Sequence, residues 1–183
     1  MSKHIMIDLE TWGTSDDAVI TEIGAVAFTP GDTSAEPDEF HVCVSPIGQV
    51  QNFKRKIDED TVMWWMNPER AEAWARWVNT LKFDLPTTLE GFQLWMERHD
   101  KDARVWGNGV GFDNVILRSA YHGTGQQVPW KWYNDRCFRT LKSLAPVQLK
   151  PSRAGTHHNA LDDARHQVNW LQEIATFTNM IID

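Results

Sequence analysis

Cysteine is scarce: the 183 residues hold two, Cys43 and Cys137, each inside an apolar segment. Such thiols read as core residues of a protein kept in a reducing compartment, not as the staples of a disulfide-stabilised secreted scaffold. Long hydrophobic runs are missing too, and no stretch approaches the roughly 20 apolar residues of a membrane span. The opening MSKHIMIDLE meets charge too soon for the apolar part of a signal peptide. The expectation is a soluble, cytoplasmic protein with no membrane partner. Positive charge is in deficit, with 18 Lys and Arg against 25 Asp and Glu and a formal net charge of −7. A protein that coats duplex nucleic acid needs a broad basic field, and this chain lacks one. An acidic total still admits a site whose carboxylates are neutralised by metal, and two divalent ions would cancel over half of the formal charge. Repeats, low-complexity tracts and domain-dividing linkers are also absent. A chain of this length, 42% hydrophobic, suits one well-buried core and one domain over residues 1–183. Tryptophan, by contrast, is abundant, at ten residues. Most belong in a core, but an exposed indole can stack on a nucleobase.

"HIMIDL" reads as a first strand, "AVITEIGAVAF" as a second and "EFHVCVS" as a third, with "TPGDTSAEP" as the turn before the last. The short spacings suggest an antiparallel meander. The middle turns helical, through "DEDTVMWWM", "PERAEAWARWV" with Pro68 near its start, and "TTLEGFQLWMERH", where Leu89, Phe92, Met96 and His99 share a face. "ARVWGNG" reads as a short buried strand and "DNVILRSAYH" as the helix after it. "KWYNDRCF" leads through another strand into a helix from Arg136 to Ala145. Pro146 to Thr156 reads as a loop able to move, and a final helix runs from Asn159 to Phe177. Three strands followed by β-α-β-α make an α/β layer fold with a mixed sheet flanked by helices.

The segment "GTHHNALDDARHQ" sets His157 against Asp162 and His158 against Asp163 at equal spacing. In the final helix Ala160, Leu161, Ala164, Val168, Leu171 and Ala175 recur at three and four and form the buried stripe. At roughly 100° per residue, Asp163 lies about 110° from the centre of that stripe and Asp162 about 150°. Asp162 therefore faces solvent, Asp163 sits at the edge where a cleft could use it, and periodicity favours the pair His158–Asp163. Asp8 and Glu10 end the first strand two apart, so both carboxylates point to one face and can share a metal. Acid-x-acid triplets recur at Glu36/Asp38, Asp58/Asp60 and Asp100/Asp102. The first stands apart only because it ends an apolar strand, where unpaired acids are costly. It reads equally as a metal site or an ordinary polar strand end. Asp113, after "WGNGVGF", and Asp135 both read as helix N-caps. The glycines before Asp113 fail the dinucleotide fingerprint, because Phe112 stands in the third glycine's place. The run "KRK" at 54–56 reads as a solvated turn within reach of phosphates, and His4, His99, His122 and His166 have no constellation of their own.

Together these pieces resemble the DnaQ-like 3′–5′ exonucleases, the DEDD superfamily, in its histidine-bearing branch. Asp-x-Glu-Thr-x-Gly stands as "DLETWG", Asn-x-x-x-Phe-Asp as "NGVGFD", and His-x-Ala-x-x-Asp-Ala as "HNALDDA", the last agreeing with the register His158–Asp163. A closer likeness, carried by "TVMWW" and "HNALDDARHQ", is to the phage exonuclease A and mycobacterial RNase T-like exoribonuclease group. The tyrosine-bearing branch is set aside because neither Tyr121 nor Tyr133 lies in the third motif.

The resemblance implies a ribonuclease H-like fold, its first three strands antiparallel and its last two parallel. It implies Asp8, Glu10, Asp113 and Asp163 converging on two Mg²⁺ or Mn²⁺ ions, with His158 as general base on the attacking water. The product would be nucleoside 5′-monophosphates from the 3′ ends of single-stranded DNA or RNA. Thr11, Trp12 and Gly13, Asn108 and Phe112, and Trp65 would hold the terminal nucleotide. For Trp12 and Trp65 the alternative is core packing. The nearness of "TVMWW" to the phage pattern leans towards DNA; the alternatives are an exoribonuclease trimming RNA 3′ ends or overhangs, and a catalytically silent module that binds nucleic acid. An unrelated single-metal hydrolase would leave Asn108 to Asp113 unexplained. The group also leaves a homodimer open, since some relatives dimerise.

Overall fold

In the computed structural model, which describes residues 3–32, 36–146, 149, 151–179 and 182, the sheet is built outward from two strands buried along their whole length. These are β1 (His4–Thr11) and β2 (Ile20–Phe28). β3 (Asp38–Val44) continues the antiparallel meander, while β5 (Arg104–Gly107) and β6 (Asp135–Cys137) run parallel to β1 on its other side. The mixed antiparallel-then-parallel sheet expected from the sequence is present. It gains one strand that periodicity could not reveal: β4 (Lys82–Phe83), two residues parallel to β3, gives the order β4-β3-β2-β1-β5-β6. The turn read at 29–37 lies partly outside the described residues, at 33–35. The loop read at 146–156 does so at 147, 148 and 150.

Among the described residues seven α-helices cover the sheet: α1 (Gln49–Phe53), α2 (Glu59–Trp65), α3 (Ala71–Asn79), α4 (Leu85–Met96), α5 (Asp113–Thr124), α6 (Phe138–Leu144) and α7 (Ala160–Thr178). Residues alternate sides along a strand, so Ile5, Ile7 and Leu9 face α4 and α5, where Leu89, Phe92, Ile116, Leu117 and Tyr121 close one core. Met6 faces α7, where Leu161, Ala164, Val168 and Leu171 close the other with Val26 and Trp106. Each fully buried aliphatic side chain contributes about 1.5–3 kcal/mol. Asp8 and Glu10 continue the Met6 side, beyond the point where α7's apolar stripe ends.

Three local readings change. Arg55 of the "KRK" run is buried, donating Nε to Ala18 O at 2.7 Å and Nη2 to Ile116 O at 3.4 Å. It ties the approach to β2 to α5, and burial pulls its pKa down to about 10. Asp135 lies in β6 and caps no helix: Trp130 Nε1 (2.7 Å) and Asn114 Nδ2 (3.0 Å) donate to it, and Arg118 pairs with it. The caps of α5 and α6 are Phe112 and Cys137, so Asp113 is the first residue inside its helix. Both cysteines are free, Cys43 buried and Cys137 partly accessible. Among the described residues no helix is long and apolar enough to cross a membrane.

Candidate active site

Two glycines let the site assemble. Opposite Asp8 in the β1–β2 ladder stands Gly24, and the first turn of α7 lies directly on it. A Cβ at Gly24 would sit 2.2 Å from Ala160 C and 2.3 Å from Leu161 N. Only a bare backbone allows this approach, and it delivers Asp163 and His158 to the end of β1. Gly107 plays the same part for α5, where a Cβ would come within 2.9 Å of the Asp113 carboxylate. The β1–β5 pairing stops at Ile7↔Gly107, which leaves the next outward N–H of β1 without a strand partner. The Asp113 carboxylate takes it: Leu9 N donates to Oδ1 at 3.2 Å, and Gly109 N donates to Oδ2 at 3.3 Å.

The segment before α7 separates the two His–Asp registers. His158 adopts a left-handed backbone (φ 61°), a region that costs a non-glycine residue about 1–2 kcal/mol. Its N–H donates to Asp163 Oδ2 at 3.0 Å, and Arg76 Nη2 donates to its carbonyl at 3.4 Å. The ring lies edge-on to Trp64 and Trp65, with centroids 4.8 and 5.8 Å away. His157 is exposed and lines no part of the cleft. Asp162, read as facing solvent, is half-buried and structural: it accepts from Thr156 N at 2.9 Å and pairs with Arg165. Asn159 caps α7 by accepting from Asp162 N at 2.9 Å, a contribution of about 1 kcal/mol.

Asp8, Glu10, Asp113 and Asp163 line one open cleft of about 310 Å³ together with Asn108, Phe112, His158, Arg139 and Gln167. One donor atom from each of Glu10, His158 and Asp163 lies within 4.8 Å of the others. Burial first, then Asp113, Glu10 and Asp163, pushes the Asp8 carboxyl well above its ordinary range, against a 2.6 Å hydrogen bond from Gln167 Nε2. Glu10 is raised by burial, then by Asp163, Glu22 and Asp113, with Arg76 opposing. Asp113 rises to about 6 by burial, restrained by the N–H groups it accepts from. His158 is pushed down by burial, against the pull of Asp163. Arg153 is paired with Asp163. Clustered, buried, mutually repelling carboxylates are the donor set of a hard divalent cation. Gln167 Oε1, buried with no hydrogen-bond partner among the described residues, adds an oxygen beside Asp8. The residues fit Mg²⁺ or Mn²⁺.

A second cleft of about 530 Å³ adjoins the first across Glu10 and Phe112, and holds Thr11, Gly13, Thr61, Trp64 and Trp65. The structure thus brings Thr11, Gly13, Asn108, Phe112 and Trp65 to the two open clefts. Trp12 lines neither. Its ring packs on Trp74 and Trp77 with centroids 6.1 and 5.5 Å away. Trp65 is buried, its Nε1 donating to Thr11 O at 2.9 Å, while its neighbour Trp64 is 40% exposed with Arg70 over its ring. Sequence reasoning missed Glu22, Trp64, Arg76, Arg139, Arg153 and Gln167. Only Gln167 carried a usable signal, one helical turn beyond Asp163 and hence on the same side of α7.

The sequence matches, over residues 3–175, the family model described as the 3′–5′ exoribonuclease Rv2179c-like domain. A comparison with curated proteins returned no match.

Proposed function

The chain belongs to the 3′–5′ exoribonuclease Rv2179c-like domain family, and from that membership we propose that it shortens single-stranded RNA from the 3′ end, releasing nucleoside 5′-monophosphates. The observation that carries this is the convergence of Asp8, Glu10, Asp113 and Asp163 with His158 in one cleft. The four carboxylates would hold two Mg²⁺ or Mn²⁺ ions, which when bound stabilise the attacking and leaving oxygens of an in-line displacement. The burial that lowers His158 keeps its imidazole neutral at pH 7, so a ring nitrogen is free to take a proton from the attacking water. The water oxygen bonds to phosphorus as the P–O3′ bond to the penultimate nucleotide breaks; O3′ takes a proton from solvent and leaves as the new 3′-hydroxyl, and His158 gives its proton back to solvent. Asp163 holds the His158 peptide, and Gln167 orients Asp8.

The terminal nucleoside would lie in the adjoining cleft, against Trp64, Phe112, Thr11 and Gly13, with Arg139 facing the phosphates. Trp64 has the exposure to stack on a base; Trp65 supports the wall behind it. RNA is preferred over DNA here because the family is described by an exoribonuclease activity, whereas the lean to DNA rested on the short segment "TVMWW". The intact acid set argues against a silent binding module.

Single-stranded, duplex and 3′-overhang oligonucleotides of RNA and DNA, labelled at the 5′ end, test the reading. The expected result is a ladder of 5′-labelled products on single-stranded RNA in Mg²⁺ or Mn²⁺ that EDTA abolishes. Metal-independent cleavage, or no shortening of any RNA, would overturn it.

A further inference from the structure

Opposite Glu10 in the β1–β2 ladder stands a second acid, Glu22, 1% exposed. With His41 and Cys43 it brings donor atoms within 4.8 Å of one another, but a protein cation already fills that place. Arg76 Nη2 donates to Glu22 Oε2 at 2.6 Å, and the same nitrogen reaches His158 O at 3.4 Å. The guanidinium starts from a fixed origin. The next residue of α3, Trp77, donates Nε1 to Thr21 O at 2.9 Å, and the rings of Trp74 and Trp77 clasp Trp12 of the first motif. α3 is thereby fastened to the start of β2 at two consecutive residues.

We infer that Arg76 is a positioning residue for His158, with Glu22 as its anchor. The His158 peptide is held from both sides, its N–H by Asp163 and its carbonyl by Arg76, in a left-handed conformation that a non-glycine residue populates sparsely. Remove Arg76 and one side is released, so the ring loses its fixed aim at the cleft. Glu22 does not line the cleft of the four acids, and its carboxylate holds the guanidinium in place. Arg76 lines neither open cleft, so its effect should fall on turnover and spare RNA binding.

The inference rests on the reading of His158 as the base, and a double-mutant cycle separates the two. Arg76→Ala should lower kcat by about 10²-fold, the scale of a roughly 1 Å misplacement of a catalytic group, with KM nearly unchanged. In a His158→Ala background the same change should cost less than about 2-fold, because groups that act as a unit are not additive. Removing Arg76 alone leaves the buried Glu22 with His41 as its remaining partner, so Glu22→Gln with Arg76→Ala is the second variant, and it should show the same loss of kcat with a restored melting temperature. Equal losses in both backgrounds would assign Arg76 an independent role and overturn the inference. So would full activity of either Arg76 variant beside an inactive His158→Ala. Full activity of His158→Ala would overturn the base reading itself and this inference with it.

Discussion

Gly24→Ala adds one methyl group at a position that touches no substrate, yet it should disable the site. The new Cβ would lie 2.2 Å from Ala160 C and 2.3 Å from Leu161 N. Ordinary carbon contacts lie near 3.5 Å, so the start of α7 must retreat by about 1 Å. Both atoms are backbone and no side chain can swing away, while the rest of α7 is held by Leu161, Ala164, Val168 and Leu171 in its core. Overpacking of this kind costs about 1–3 kcal/mol, a fall in melting temperature of about 2–12 °C for a chain of this size. The catalytic cost should be larger, because the retreating turn carries His158 and Asp163, and a displacement of about 1 Å can cost on the order of 10²-fold. The assay is kcat on 5′-labelled single-stranded RNA beside a thermal melt. Gly111→Ala is the control: its Cβ would meet nothing within 4 Å although the glycine lies within "NGVGFD", so activity should hold. If Gly24→Ala keeps kcat within about 3-fold of wild type, this account of how α7 delivers the two groups is wrong.

The acids make the metal-free protein unusually sensitive to rising pH. Asp8, Glu10 and Asp113 all have raised folded pKa values, so the stability they contribute is complete below about pH 4 and is lost as pH rises, through about 6 for Asp113. His99, His158 and His166, whose pKa values burial lowers, act in the opposite sense below about 6.5, so the comparison is wild type against Asp8→Asn in EDTA. The variant should be inactive yet melt higher at alkaline pH, by a margin that Mn²⁺ reduces, and an unchanged melting difference across pH would refute this. The His–Asp register predicts a loss of about 10²–10⁴-fold in kcat for His158→Ala and Asp163→Ala, near-normal turnover for His157→Ala, and for Asp162→Ala chiefly a loss of stability, since it holds Thr156 N and Arg165; the reverse ranking in kinetics would refute it. Trp64→Ala should weaken RNA affinity in Ca²⁺ by about 5–150-fold with the fold intact, whereas Trp12→Ala should lower the melting temperature and leave affinity within about 2-fold of wild type; the opposite split would return base stacking to Trp12.

What could be read in the sequence, and what could not, divides by the range of the forces involved. β1 and β2 are long and apolar enough to show as buried strands, the stripe of α7 is long enough for periodicity to show which side is buried, and from the stripe alone Asp163 separates from Asp162. The solvent-facing reading of Asp162 failed because a helical wheel shows α7 but not the Thr156 segment folded back onto it. Asp135 carried the local signature of an N-cap, yet Trp130, Asn114 and Arg118 converge on it from other parts of the chain, and three donors outweigh one cap. Two residues of β4 are too few to alternate. In the pair Trp64–Trp65 the sequence cannot say which ring faces outward, because α2 has only seven residues and both neighbours are indoles. Glu22 is the sharpest case. Inside "VITEIGAV" it is a lone acid in an apolar strand, a costly placement without a partner. Its partners are set by the ladder that puts it opposite Glu10 and by a helix, α3, that begins some fifty residues later. The acids of the cleft could be found because each lies near the boundary of an element whose pattern is local, Asp8 and Glu10 towards the end of β1, Asp113 and Asp163 in the first turns of α5 and α7. The groups that hold the site, Arg153 on Asp163, Gln167 on Asp8 and Arg76 on the His158 carbonyl, arrive through tertiary contacts, and it is these that turn a set of mutually repelling carboxylates into a fixed geometry.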